Sequence, residues 1–158
     1  MTATPDGLSP RDLCYGCGPA NPYGLAIAFQ QQGQEVVGHF TPRREHQGFP
    51  GYLHGGVVAA ALDEAMGWAV YQAGAWAITG RLQVRFRRPV PVGGSLEVRG
   101  QVKEVRGRRL LAQARLLDSD GQVLAEAEAL FLRLGRAEAA RLRAFYQLPP
   151  GQGPAASP

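Results

Sequence analysis

The chain has 158 residues, of which 45% are hydrophobic and 19% charged, with a net charge of +4. That length suits one domain with a sizeable core, and that composition excludes an intrinsically disordered chain. No apolar run approaches the roughly 18 residues of a membrane span, and the arginines form no continuous basic stripe with interleaved aromatics, so neither a membrane nor a nucleic-acid partner is expected.

Residues 1–24 read as an arm and then, from Arg11 to Gly24, an irregular cap dense in Gly, Pro and Asn. The arm, MTATPDGLSP, lacks a basic region followed by an apolar stretch, so no export signal and a cytoplasmic address are expected. The only cysteines, Cys14 and Cys17, form a C-x-x-C inside CYGCG. A four-ligand zinc site needs two more ligands, and neither His39 nor His46 has the usual close spacing. A thioredoxin-like motif would lie between a strand and a helix. The expectation is therefore a tight glycine-rich turn with small, partly buried thiols and no metal.

Leu25 to Gln30 alternates Leu25, Ile27 and Phe29 with Ala26, Ala28 and Gln30, the period of a strand. Gly33 marks a turn, Glu35 to Thr41 reads as the return strand, and Pro42 to Leu53 as loop. From Gly55 to Ala73 apolar residues appear on every side, and a helix that is apolar all round is a buried one. His54 is its entry residue and Gly74 its stop. Inside it stand two carboxylates, Asp63 and Glu64. Burying a carboxylate is unfavourable unless it is paired, hydrogen-bonded or used.

After the helix the period is two. Ile78 to Arg88 places Leu82, Val84 and Phe86 on one face and Arg81, Gln83, Arg85 and Arg87 on the other. A Pro/Gly break follows, then strands over Ser95 to Val105, Leu110 to Leu117 and Gln122 to Arg133. Turns fall at Arg106–Arg108 and at Asp118–Gly121, the stronger hairpin signal. A short amphipathic helix from Arg136 to Tyr146 would pack Ala137, Ala140, Leu142 and Phe145, and Pro149 to Pro158 reads as a flexible tail. Two strands, one helix and a four-stranded meander predict an α+β chain: a curved antiparallel sheet of about six strands wrapped around one long helix, with a partner subunit helping to cover it. The domain spans 25–134, followed by the C-terminal helix at 135–148 and the tail at 149–158.

That order, together with HGGVVAAALDE, resembles the hotdog-fold acyl-CoA thioesterases, in the branch of the PaaI-like phenylacetate-pathway enzymes and the mammalian thioesterase-superfamily members. His54-Gly55-Gly56 stands nine residues before Asp63, and Thr79 stands ten before Pro89 in TGRLQVRFRRPVP. CYGCGPANPYGLAI is similar to the family's entry into its first strand. The resemblance covers Cys14 to Arg133. It implies hydrolysis of an acyl-CoA to free acid and coenzyme A, with no cofactor beyond the coenzyme A of the substrate. It also implies a homodimer, often paired again into a tetramer. Relatives carry an amide a fixed step before the HGG; here that register falls on Gly48, with Gln47 one residue off, and Gln47 is the candidate contact together with Gly56.

Thioester hydrolysis needs a base or nucleophile near the carbonyl and donors for the developing oxyanion. Asp63 supplies the first, by activating water or by direct attack. The Gly55 N–H supplies the second, at the positive end of the helix dipole. Eight residues of helix separate them by about 12 Å, so both act on one carbonyl only if they come from different subunits across a two-fold axis. Thr79 would position the water or Asp63, and His54 would hydrogen-bond the loop or the oxyanion region. Glu64, about 100° around the helix, is expected to form a salt bridge with a sheet arginine. Arg87, Arg88, Arg106 and Arg108 flank turns and are candidates for the coenzyme A phosphates. A non-catalytic acyl-CoA-binding module is the alternative reading, and an acyl-thioester dehydratase or hydratase ranks below it.

Overall fold

The computed structural model describes residues 10–145. Most of the expected N-terminal arm, Tyr146 and the whole expected tail lie outside them. The cap begins with a single 3-10 turn, Pro10–Leu13. The strands are β1 (Ala28–Gln32), β2 (Glu35–Phe40), β3 (Ala77–Phe86), β4 (Leu96–Arg106), β5 (Arg109–Leu117) and β6 (Val123–Arg133), and the helices are α1 (Gly55–Gln72) and α2 (Arg136–Phe145).

The six strands form one antiparallel sheet in the order β1-β2-β4-β5-β6-β3, with α1 lying across it. The α+β expectation holds, but the four-stranded meander does not. Only β4, β5 and β6 run as a meander, and β3 pairs with β6 at the far edge while β4 pairs with β2. The connection explains this. Residues 87–95 carry Pro89 and Pro91, too long and too stiff for a hairpin turn. That segment crosses below the start of α1 and is tied down on the way by Leu53 N–H to Val90 O (2.8 Å) and Val92 N–H to Gly51 O (3.0 Å).

The first strand begins later than its alternation suggests. Leu25 and Ile27 are buried as expected, but their N–H groups donate to Tyr15 O and Gly16 O of the cap, at 2.8 and 2.9 Å. Ala26 between them has φ +49°, a left-handed conformation that interrupts the strand.

The helix packs through Val58, Ala61, Leu62, Ala65, Met66, Ala69 and Val70, all buried. These recur at three- and four-residue steps and so form one stripe. The sheet therefore covers one face of α1; Val57, Ala60, Gly67 and Trp68 on other sides remain partly exposed. Contact with β4 is unusually close because Gly100 has no side chain. A Cβ there would lie 2.4 Å from Ala65 O, so backbone meets backbone. Among the described side chains of α2, Ala139 is buried and Leu142 half-buried, whereas Ala137 and Ala140 are exposed; that of Phe145 lies outside the described set. The helix lies rotated from the face expected for it.

Candidate active site

His54 caps α1. Its Nδ1 accepts the Gly56 N–H at 2.9 Å, and its carbonyl accepts those of Val57 and Val58 at 2.9 and 3.1 Å. Nδ1 as acceptor places the ring proton of neutral His54 on Nε2. The Gly55 N–H has no partner among the described residues. Of the first-turn donors it is the one left over, and it stands at the positive end of the helix.

Two turns further along, Asp63 Oδ1 accepts a hydrogen bond from Thr79 Oγ1 at 2.8 Å. Burial pushes the Asp63 carboxyl above its ordinary pKa, and the Thr79 hydroxyl opposes that shift. The contact depends on an irregularity that the sequence reading passed over. Unbroken alternation would put Thr79 on the face opposite Leu82 and Val84. The β3–β6 register slips between Thr79 and Arg81, with Gly80 as the extra residue. This bulge turns Thr79 towards the helix while Leu82 and Val84 still pack on the core. A glycine inside a strand pattern was the available signal.

Among the described residues Glu64 has no arginine partner, contrary to expectation. Its carboxylate accepts the Trp68 Nε1–H at 3.2 Å, and Cys14 Sγ lies 3.6 and 3.7 Å from its two oxygens. Arg99 and Arg115 are held on the opposite face of the sheet, where Glu35 takes them at 3.2 and 2.9 Å. Burial is the main reason that the Glu64 pKa rises to about 7. The thiols are half-buried in a glycine-rich turn, as expected. The Cys17 hydrogen bond is the largest influence lowering Cys14 to about 5. Cys17 is pushed up by that same bond, by burial and by Glu64. No sequence pattern announces this cluster, because Cys14 and Glu64 are 50 residues apart.

Asp63, Glu64, Thr79 and the cysteines line a cavity of about 400 Å³, whose wall also holds Arg11, aliphatic residues and the rings of Trp68, Tyr71, Trp76 and Phe131. Trp68 stacks on Phe29 (5.8 Å between ring centroids) and meets Tyr71 edge-on at 5.7 Å; Tyr71 meets Trp76 edge-on at 5.4 Å. A second hollow, about 470 Å³, lies among Gln83, Gln101, Gln113 and Arg115 on the outer face of the sheet, away from Asp63.

The other candidates are dispersed. Gln47 is exposed, and its Oε1 accepts the Gly51 N–H at 3.3 Å. Gly56 is occupied by its bond to His54. Arg87 pairs with Glu126 at 2.7 Å, Arg106 with Glu104, and Arg108 donates to Arg133 O at 3.2 Å. Arg88 is exposed and has no side-chain partner among the described residues. Thr79 and Asp63 are brought together; Gly55 and Asp63 of one chain remain about two turns apart on α1.

Known proteins give an independent view. The family profile described as the thioesterase superfamily matches residues 50–125. The mouse acyl-coenzyme A thioesterase THEM4 is 29% identical over 113 residues, covering 71% of this chain and 49% of that protein. The chain thus spans about half the length of this curated relative. An X-ray structure of a thioesterase-superfamily protein is 32% identical, covers 73% of this chain and 89% of that one, and superposes with a TM-score of 0.66. The Escherichia coli PaaI protein of the phenylacetic acid degradation operon shares the fold at 20% identity and a TM-score of 0.66, covering 70% of this chain and 81% of that one. A curved six-stranded sheet around one helix, matched over most of its length by a superfamily structure, places the fold and the kinship together: this chain is a hotdog protein and belongs to the thioesterase superfamily.

Proposed function

We propose that this chain hydrolyses acyl-CoA thioesters to free acid and coenzyme A, with Asp63 as general base. The observation that carries the proposal is the Thr79–Asp63 pair, 2.8 Å apart in the wall of the aromatic cavity. Thr79 holds Oδ1, leaving Oδ2 to take a proton from water. The resulting hydroxide adds to the thioester carbonyl, the oxyanion is met by a backbone N–H, and collapse expels the coenzyme A thiolate, which recovers the proton. The names of the curated relatives support the substrate class.

The N–H comes from Gly55 of a second copy, so the working unit is a homodimer. Two features support this. β3 is an edge strand of ten residues, with Ile78 and Phe86 exposed at 54% and 55%; long unpaired edges of this kind invite pairing. Thr79 touches Asp63 near one end of β3, and the Phe86 ring lies 3.6 Å from the place of a Gly55 Cβ at the other. Pairing two copies of β3 antiparallel brings the Gly55 end of one against the Asp63 end of the other. Arg88, exposed near the Gly55 end, is the cation in this arrangement for a coenzyme A phosphate.

Steady-state hydrolysis of a panel of acyl-CoAs tests the reaction. The wild type turns over at least one acyl chain and Asp63→Ala does not; equal background rates for both on every chain would refute the activity. Co-purified heterodimers of Asp63→Ala with Gly55→Pro test the shared site. One of the two hybrid sites then has both groups intact, and activity returns towards half. Verified heterodimers as inactive as either parent would refute sharing.

A further inference from the structure

The hydrolysis scheme makes no use of Cys14, Cys17 or Glu64, although their ligand atoms lie within 4.8 Å of one another. We propose that these three side chains bind a zinc-class divalent cation that fastens the N-terminal cap to α1, with a fourth position open to the cavity. The site is separate from the chemistry at Asp63 and stands whether or not the chain hydrolyses a thioester.

Four observations converge on it. The donor set is two thiols and a carboxylate, which suits a soft-to-borderline ion, and three protein ligands with one open position is a recurrent zinc arrangement. A tetrahedral zinc ion with bonds of about 2.0 Å to oxygen and 2.3 Å to sulfur holds its ligands roughly 3.5–3.8 Å apart. Cys14 Sγ already lies 3.6 and 3.7 Å from the Glu64 oxygens.

The turn also has the form of a metal knuckle. The glycine between the cysteines lets the turn close on the carboxylate, since a Cβ on Gly16 would come within 2.5 Å of the Glu64 side chain. Finally, the Trp68 indole N–H fixes Glu64 Oε1 at 3.2 Å, leaving Oε2 for a metal. Hydrogen-bonded orientation of a ligating carboxylate is a usual outer-shell feature of metal sites. On binding, every proton still held by the three side chains, that of the Cys17 thiol above all, passes to solvent, and the three anionic ligands outweigh the dication by one charge.

The test uses the full chain, freed of metal by dialysis against a chelator under reducing conditions, with both thiols confirmed by titration. Cobalt(II) is the first probe. The expected result is about one equivalent bound per chain, with sulfur-to-cobalt charge transfer, intense tetrahedral bands in the visible, and displacement by zinc. Cys14→Ser and Cys17→Ser each lose much of the charge transfer. Glu64→Gln keeps it but binds more weakly, and Trp68→Phe weakens binding by about tenfold through the lost orientation of Glu64. Zinc raises the melting temperature of the wild type and not that of the double serine variant. Less than a tenth of an equivalent on folded, fully reduced wild-type protein overturns the proposal, whatever the variants do. So does an octahedral cobalt spectrum without charge transfer, or undiminished binding by the double serine variant.

Discussion

Gly55→Pro removes one atom group from the proposed site and leaves the helix that carries it intact. The first helical position is where proline is best tolerated, because its missing N–H has no intrahelical acceptor there. The preceding residue must then be extended, and His54 already is, at φ −63° and ψ 136°. The Gly55 N–H has no partner among the described residues to lose. Stability should therefore hold or rise by up to about 1 kcal/mol, since proline restricts the unfolded chain. Activity should not hold. Deleting one oxyanion donor typically lowers kcat by about 10²–10³, or roughly 2.7–4 kcal/mol of transition-state stabilisation. Gly55→Ala is the steric control, because it keeps the N–H and its Cβ meets nothing nearer than the Phe86 ring at 3.6 Å. Urea unfolding and steady-state kinetics on the same preparations would show the two effects separating. A Gly55→Pro variant within a few-fold of wild-type kcat would refute the donor assignment, and an alanine variant as slow as the proline variant would show that space matters there and the N–H does not.

The remaining predictions address the other parts of the site and its frame. Thr79→Val removes the bond to Asp63 and nearly nothing else. A hydrogen bond to a charged group contributes about 1.5–3 kcal/mol, so kcat should fall about ten- to 150-fold with KM little changed, Thr79→Ser should recover most of it, and adding Thr79→Val to Asp63→Ala should change nothing further. Ile78→Lys with Phe86→Lys places charge on the free edge of β3 and should yield monomers by analytical ultracentrifugation, with activity lost in proportion. Two Gly→Ala substitutions should have opposite signs in urea unfolding. At Gly100 the new Cβ would meet the α1 backbone at 2.4 Å, a destabilising overpacking of about 1–3 kcal/mol or more. At Gly67, with nothing within 4 Å, alanine favours the helix by about 0.5–1 kcal/mol.

What the sequence discloses here is what local periodicity carries. The apolar run of α1, its entry at His54 and its stop near Gly74 are local, and so are the alternation of β4 to β6 and the turn at Asp118–Gly121. All appear in the structure close to their expected bounds. Sheet order is not local. The strand after α1 emerges on the far side of the sheet, and no pattern within residues 77–86 says which neighbour it will find. Registers hide for the same reason. Gly80 reads as one more residue of a strand until the pairing with β6 shows it to be surplus. Glu64 was expected to face an arginine because a buried carboxylate needs a partner. The partners it found are Trp68, one turn along, and a thiol brought in by the cap. Asp63 is legible as a group needing an explanation and Thr79 as its partner through the resemblance, but the bulge that turns the Thr79 hydroxyl to it appears only in the folded chain.

The backbone contact between Gly100 and Ala65 has a consequence for how this protein could diversify. Where helix and sheet meet through a layer of side chains, every change in that layer shifts the helix and whatever it carries. Here, one turn of α1 sits directly on β4, and Asp63 and Glu64 are the residues just before that turn. On the proposed reaction, substitutions at Tyr71 or Trp76 would remodel the cavity wall, and with it the acyl groups admitted, while Asp63 stays anchored. The shape of the cavity and the placement of the carboxylates on α1 are thereby separable, and selection can act on the first without disturbing the second.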